Sequence, residues 1–158
     1  MKLTLLEKIY FKSCITDLLE SERVQEMRQY IQHGSTTTYS HCMTVAYYSY
    51  WLCLRLRLKV DISSVIRGAL LHDFYLYDWH CPDNSHRLHG FCHPSKSLAN
   101  ARLYFELTPL EEDIIEKHMW PLTVTKLPKY KEAFVVCFMD KVCSTAETIH
   151  LNTRKHSF

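Results

Sequence analysis

The chain has 158 residues, of which 47% are hydrophobic and 23% charged, and its formal net charge is only +2. This length suits one domain with a substantial core, and this composition is typical of a globular protein rather than a disordered or fibrous one. The small net charge argues against a dedicated nucleic-acid binder. We therefore expect a single domain over residues 1–158, with no stable nucleic-acid partner.

Cysteine usage and apolar segments indicate the compartment. The seven cysteines form an odd count without compact spacing, which is typical of reduced thiols. Charges interrupt the N-terminal segment MKLTLLEKIYFKSC, and the longest apolar stretch, VAYYSYWLCL, is much shorter than a membrane span. We expect a soluble, cytoplasmic protein without membrane attachment, and a homodimer is compatible with these features.

Helices should dominate, because glycine occurs only three times and proline five times. Apolar spacing predicts a first helix over residues 3–19 and a second over residues 24–33, which Gly34 ends. A residue within 35–38 then caps a long third helix that runs to about residue 58.

The middle of the chain continues this pattern around one long connection. Asp61 caps a fourth helix, ISSVIRGALLHD. Residues 75–92 lack a clean period and are predicted to form a loop of functional length. Pro94 opens the fifth helix as a first-turn proline, and the segment TPLE at residues 108–111 forms a capping box that starts the sixth.

A last helix is predicted over residues 131–148, followed by a polar tail over residues 150–158. No segment shows the alternation of a strand, so the predicted fold class is all α. The expected architecture is a compact bundle of about six to seven helices. Residues 1–33 would pack on a core formed by residues 36–148.

Several histidine and aspartate side chains stand beside strongly apolar sequence. They are His41, His72, Asp73, His93, His118 and Asp140. A buried ionised carboxylate is costly unless it is paired, and a divalent cation supplies that pairing with neutral imidazoles as co-ligands. Each residue alone is compatible with an ordinary core or surface position, but together they would require several independent buried polar exceptions. The combination therefore indicates a metal site.

Asp73 is suited to bridge two ions, because each of its carboxylate oxygens can bind one. The sequence thus predicts one ion held by His41, His72, Asp73 and Asp140, and a second held by Asp73, His93 and His118. Mixed imidazole and carboxylate donors favour Fe, Mn, Zn, Ni or Co over Ca.

The order of these residues resembles that of the HD-domain superfamily of metal-dependent phosphohydrolases. The similarity covers about residues 38–148 and lies in the segments GALLHD, HGFCHP, IIEKHMWP and FMDK. It implies a compact helical HD-domain bundle. His93, followed by Pro94, and His118 resemble the second-metal ligands of the dinuclear branch. The GYP signature of cyclic-dinucleotide phosphodiesterases is missing, so that substrate is not implied.

The resemblance implies a phosphohydrolase in which two ions activate water for in-line attack on phosphorus. Its substrate would be a small phosphomonoester or phosphodiester, with nucleotides among the candidates. Asp73 would act through the ions, and His89 is the candidate proton carrier. Arg87, Lys96 and Lys141 are the candidates for substrate binding.

Other functions remain open at the level of sequence. A minority of HD proteins use a similar ligand set to hold two irons and cleave C–C or C–P bonds with oxygen. A noncatalytic nucleotide-binding regulatory module is a further class. A structural zinc site is also considered, from Cys81, His86, His89, Cys92 and His93, although the spacing C-x4-H-x2-H-x2-C-H is not that of a standard finger or ribbon.

Overall fold

The computed structural model describes residues 2–81 and 88–155, with side chains described to residue 149. Within these ranges the regular structure is almost entirely helical, which confirms the predicted all-α fold class. The helices are α1 (Leu5–Cys14), α2 (Thr16–Glu20), α3 (Glu22–Glu26), α4 (Thr38–Arg55), α5 (Ile62–Leu71), α6 (His89–Tyr104), α7 (Pro109–Lys117) and α8 (Lys131–Lys155). None of the helices in the described ranges combines the length and apolar character needed to cross a bilayer.

The starts of the central helices follow the capping signals in the sequence. Thr37 caps α4 and Asp61 caps α5, each by accepting a backbone N–H from the residue three positions later. Thr108 and Glu111 form the predicted reciprocal capping box at the start of α7. These local signals therefore place the beginnings of three core helices correctly.

The second predicted helix, over residues 24–33, is wrong in its C-terminal half. A 3-10 turn covers Met27–Gln29, after which strand β1 (Ile31–His33) pairs antiparallel with strand β2 (Thr36–Thr37). Gly34 has a φ of 56°, so it turns the chain between two strands instead of ending a helix. A strand of three residues is too short for its alternation to be visible in the sequence.

Three other boundaries also differ from the prediction. The first predicted helix is broken at Ile15 into α1 and α2. Helix α6 begins at His89, so the predicted loop ends earlier and Pro94 lies inside the helix rather than in its first turn. Gly90 had suggested a loop because glycine usually interrupts helices, and Pro94 had suggested a helix start because proline suits the first turn. Helix α8 continues to Lys155, into the segment predicted as a polar tail.

Helix α5 forms the centre of the bundle. It packs against α4 and α7, and α8 packs against all three of these helices. Nearly the whole of α5 is buried, including Val65, Ile66, Gly68, Ala69, Leu70 and Leu71. Because its neighbours cover it on several sides, the end of α5 carries His72 and Asp73 into the interior of the protein.

A close approach between α5 and α7 depends on Gly68. A Cβ atom added there would lie 2.7 Å from Cδ1 and 3.0 Å from Cβ of Ile114, so a larger residue requires one helix to move. This crossing sets the distance between the end of α5, which carries Asp73, and the end of α7, which carries His118.

We predict that the free energy of unfolding of Gly68→Ala is about 1–3 kcal/mol lower than that of Gly90→Ala, because overpacking a helix crossing is destabilising. Gly90 is the matched control, since an added Cβ there would lie 3.5 Å from Leu122 Cδ2, an ordinary contact. Both positions are helical, so the gain in helix propensity is similar. Urea denaturation of the metal-free proteins measures the difference, and equal stabilities would show that the crossing tolerates a methyl group.

Candidate metal centre

The structure brings together all six residues that the sequence analysis selected as candidate ligands. They are His41 on α4, His72 and Asp73 after α5, His93 on α6, His118 after α7 and Asp140 on α8. None of these residues is more than 7% exposed. Five helices therefore deliver polar side chains to one buried point.

One group of donors faces the Oδ2 atom of Asp73. This oxygen is 3.4 Å from Nε2 of His72 and 3.9 Å from Nε2 of His41. The Oδ1 atom of Asp140 stands beside the same group, 3.2 Å from Nε2 of His41 and 3.7 Å from Nε2 of His72. Two imidazoles and two carboxylates thus surround a common point.

A second group faces the Oδ1 atom of Asp73, at 3.1 Å from Nε2 of His93 and 3.4 Å from Nε2 of His118. The two Nε2 atoms are only 2.8 Å apart. Their Nδ1 atoms donate to backbone carbonyls of His89 and Ile115, at 2.8 and 2.9 Å. In the neutral rings the proton is therefore on Nδ1, and two Nε2 lone pairs face each other. A cation bound to both atoms removes this repulsion.

The other two histidines are oriented in the same way. His72 Nδ1 donates to the Ala69 carbonyl at 2.7 Å, and His41 Nδ1 donates to Oε2 of Glu147 at 3.0 Å. Metal-ligating histidines usually make this kind of bond through their second nitrogen, to a carbonyl or a carboxylate. All four imidazoles are thus held with Nε2 towards the cluster.

The donors of the cluster fit metal ions in both chemistry and spacing. His72 Nε2 and Asp73 Oδ1 are buried without a hydrogen-bond partner among the described residues, a condition that costs about 1–3 kcal/mol per group. Two nitrogens bound at right angles, each about 2.1 Å from one ion, would lie about 3 Å apart, close to the separation seen between His93 and His118. The donors fall into two groups that share Asp73, one with His41 and His72 and one with His93 and His118. This buried cluster could hold a metal.

Hydrogen bonds and burial set the charges of the metal-free cluster. Burial lowers the pKa of His41, but its hydrogen bonds to Asp140 and a second carboxylate outweigh burial and raise the pKa to about 10. Burial also opposes a charge on His72, and the Asp73 carboxylate outweighs it and raises the His72 pKa well above its usual value. Burial lowers the pKa of His118 to about 4. At neutral pH, His41 and His72 therefore carry protons, whereas His118 does not.

We predict that metal binding displaces roughly one to two protons per protein at neutral pH, because imidazole must be neutral to bind an ion. The protons come from His41 and His72, so metal affinity should rise as the pH rises. Calorimetric titration with Mn²⁺ in buffers of different ionisation enthalpy measures the released protons. An enthalpy that does not depend on the buffer would contradict the predicted protonation of the metal-free site.

A pocket of about 480 Å³ opens on the cluster. Among the described residues, its lining includes four candidate ligands, namely Asp73, His93, His118 and Asp140. One wall is aromatic, since the His89 ring stacks on Trp79 at 5.0 Å and on His93 at 4.5 Å between centroids. Met119 and Leu122 add apolar surface. The pocket thus joins polar donors to walls that suit a planar or apolar group.

His89 and Lys141, two further residues predicted from the sequence, line this pocket. His89 Nδ1 lies 2.9 Å from the Tyr77 hydroxyl. Lys141 Nζ donates to the carbonyls of His118 and Cys137, at 2.9 and 3.2 Å, and lies 4.0 Å from Oδ2 of Asp140. These carbonyl bonds hold the ammonium group beside the cluster.

Lys96, the other lysine proposed to bind substrate, is placed differently. Its Nζ lies 4.7 Å from the centroid of the Tyr77 ring, and the residue is not among those that line the pocket. Arg87 lies outside the described residues.

The alternative zinc site also finds no support in the described part of the chain. Cys81 is exposed and donates to Asp78, and Cys92 faces the His89 carbonyl. Neither cysteine belongs to a group of donors that could hold a metal among the residues described, and His86 lies outside them.

Sequence reasoning missed several residues that contact the cluster. Glu147 supports His41, and its position seven residues after Asp140 on α8 places both on one helix face, so this spacing was an available signal. Gln32 donates from Nε2 to Oδ2 of Asp73 at 2.7 Å. The ring of His33 lies 5.8 Å from that of His41 and lines the pocket. Gln32 and His33 carried no signal because their segment was predicted as the end of the second helix, away from the candidate ligands.

Comparison with known proteins adds no relative: no family model, no curated protein and no solved structure matches this chain. The case for a metal centre therefore depends on the geometry of the cluster itself.

Proposed function

We propose that this chain is a metal-dependent phosphohydrolase whose centre holds two divalent ions. The arrangement of Asp73 carries this proposal, because each of its carboxylate oxygens faces a different pair of histidines. A carboxylate shared between two sets of neutral nitrogen donors suits a pair of ions acting on one substrate.

The two ion positions share Asp73 and otherwise have different ligands. His41, His72, Asp73 and Asp140 would hold the first ion, and Asp73, His93 and His118 the second. Imidazole and carboxylate donors suit Fe, Mn, Zn, Ni or Co. When bound, such ions activate water and neutralise negative charge on phosphoryl oxygens.

The pocket supports a small phosphate ester as the substrate. Its volume of about 480 Å³ lies in the range of small-molecule sites. Asp73 and Asp140 line it, so a phosphate group that enters reaches the cluster directly. Lys141 supplies a fixed positive charge beside the phosphate, and His89 carries a proton to or from the leaving group. Trp79 and His89 form an aromatic wall of the pocket, which suits an apolar or planar part of that group.

Membership of the HD-domain superfamily is part of the same proposal. Its support is that the residues of the segments GALLHD, HGFCHP, IIEKHMWP and FMDK, which are distant in sequence, converge with His41 on one buried cluster in a helical bundle. The alternative of unrelated buried polar residues gives no reason for their common orientation towards Asp73.

We predict that the protein loaded with Mn²⁺ or Co²⁺ hydrolyses generic phosphate esters, and that Asp73→Asn loses bound metal and turnover together. The expected loss in kcat exceeds the roughly 10–100-fold cost of removing a hydrogen bond to a ligand, because Asp73 binds the ions itself. Metal analysis and a phosphate-release assay across monoesters, diesters and nucleotides measure both effects. Asp17→Asn is the matched control, since the Asp17 side chain is exposed and pairs with Arg67 away from the cluster, so both quantities should stay unchanged.

Three results would contradict the proposal in distinguishable ways. Protein that retains two ions but turns over no member of a broad phosphate panel is not a phosphohydrolase. Iron in anaerobically purified protein, with substrate-dependent oxygen consumption, would assign the centre to the di-iron oxygenases. Tight nucleotide binding without turnover would assign the chain to the regulatory modules.

A further inference from the structure

Three buried side chains connect the β1–β2 hairpin to the carboxylate that both histidine groups share. Gln32 Nε2 donates to Oδ2 of Asp73 at 2.7 Å, and the Tyr75 hydroxyl donates to Gln32 Oε1. Thr38 Oγ1 lies 2.9 Å from the Tyr75 hydroxyl. The three residues are 8%, 2% and 1% exposed, in the order Gln32, Tyr75 and Thr38. Water therefore has almost no access to Tyr75 and Thr38, whereas Gln32 also lines the pocket.

The hydrogen bonds in this chain have a fixed direction. The ionised Asp73 only accepts, so Gln32 must present its NH₂ group to Asp73 and its carbonyl oxygen to Tyr75. The Tyr75 proton is then used on Gln32, and Thr38 donates to Tyr75 with a proton that it shares with the Tyr30 carbonyl, at 3.3 Å from Thr38 Oγ1. A flipped amide would bring Gln32 Oε1 against Oδ2 of Asp73, and two acceptors would repel each other. Asp73 thus sets which end of the amide faces it, and the Tyr75 hydroxyl anchors the other end.

The plane of the Asp73 carboxylate needs such a constraint. Rotation about the last torsion of an aspartate is soft, because this torsion has a broad energy profile. Oδ1 has no hydrogen bond among the described residues, whereas Oδ2 has the one from Gln32. The amide is therefore the donor that makes the short hydrogen bond to this carboxylate, at 2.7 Å, and the His72 imidazole lies further away, at 3.4 Å from the same oxygen.

We propose that Gln32, Tyr75 and Thr38 are positioning residues that fix the Asp73 carboxylate so that Oδ2 serves the His41 group and Oδ1 the His93 group. This inference rests on the two-ion centre of the proposed function. A carboxylate rotated towards the His41 group would leave the second position with only the imidazoles of His93 and His118 as donors among the described residues. The amide thus makes simultaneous binding of two ions favourable.

The proposal also assigns a role to the short hairpin. The Thr38 N–H donates to the Tyr30 carbonyl at 2.9 Å, which joins the chain just before β1 to the start of α4. Ile31 pairs with Thr37, so Gln32 is held between two fixed neighbours. The hairpin therefore delivers one amide to the end of α5 from a distant part of the chain.

The test compares Mn²⁺ binding by the unsubstituted protein, Gln32→Leu and Tyr75→Phe. Gln32→Leu keeps the side-chain size but removes the donor, and we expect binding at one position to weaken about 10–100-fold, as for other losses of a bond to a ligand. Tyr75→Phe removes the donor that anchors the Gln32 carbonyl, so the amide is held less firmly and a smaller loss in the same direction is expected. Paramagnetic resonance should show a coupled Mn²⁺ pair in the unsubstituted protein and signals of isolated ions in Gln32→Leu.

Tyr47→Phe is the matched control, because it also removes a tyrosine hydroxyl. The Tyr47 hydroxyl lies away from the cluster and accepts a hydrogen bond from the Leu3 N–H at 3.0 Å. It should bind Mn²⁺ as the unsubstituted protein does. Urea unfolding with a chelator separates the roles, since a merely structural Gln32 would change metal-free stability and leave the Mn²⁺ affinity of the folded protein unaltered. Should Gln32→Leu not fold, the Mn²⁺ affinity of Tyr75→Phe decides.

Unchanged Mn²⁺ affinity, stoichiometry and spin coupling in both variants would overturn the inference, as would fewer than two ions in the unsubstituted protein. The expected losses, in a protein that hydrolyses no phosphate ester, would support the positioning role and reject the proposed function.

Discussion

The buried carboxylate of Asp73 is the interaction on which the rest of the structure depends. An ionised carboxylate in the interior is costly unless charges or donors surround it. Here four imidazoles and one amide do so, and they come from α4, α6, the ends of α5 and α7, and β1. The packing of the helices therefore determines the geometry of the cluster. A helix that shifts relative to α5 separates a donor from the carboxylate.

The ends of two helices contribute to this geometry through their carbonyl groups. The last carbonyls of a helix lack intrahelical partners and need another donor. In the last turn of α5 the Ala69 carbonyl accepts from Nδ1 of His72, and in the last turn of α7 the Ile115 carbonyl accepts from Nδ1 of His118. Each bond satisfies a helix end and also selects the tautomer that leaves Nε2 free as a donor to metal. This dual use explains why histidines follow directly after two buried helices.

The sequence predicted those parts of the site whose signals are local. His72 and Asp73 follow an apolar run that has to be buried, and Asp140 follows another, so their polarity stood out. Gln32 shows the limit, because its bond to Asp73 joins residues 41 positions apart and no periodic pattern records such a contact. The helix starts at Asp61 and Thr108 were predictable, since each cap lies within four residues of the turn that it closes. The strands around Gly34 were not, because pairing between so few residues depends on what the hairpin packs against.

The early start of α6 links the pocket wall to the candidate metal centre. Because the helix begins at His89, that residue lies one turn before His93 and on the same face. The two rings stack, and the opposite contact of His89 is the ring of Trp79. The His89 carbonyl also accepts from Nδ1 of His93, so one residue orients a candidate ligand and forms part of the wall. A change in the wall at His89 therefore alters the support of His93, so one turn of helix connects the pocket wall to a candidate ligand.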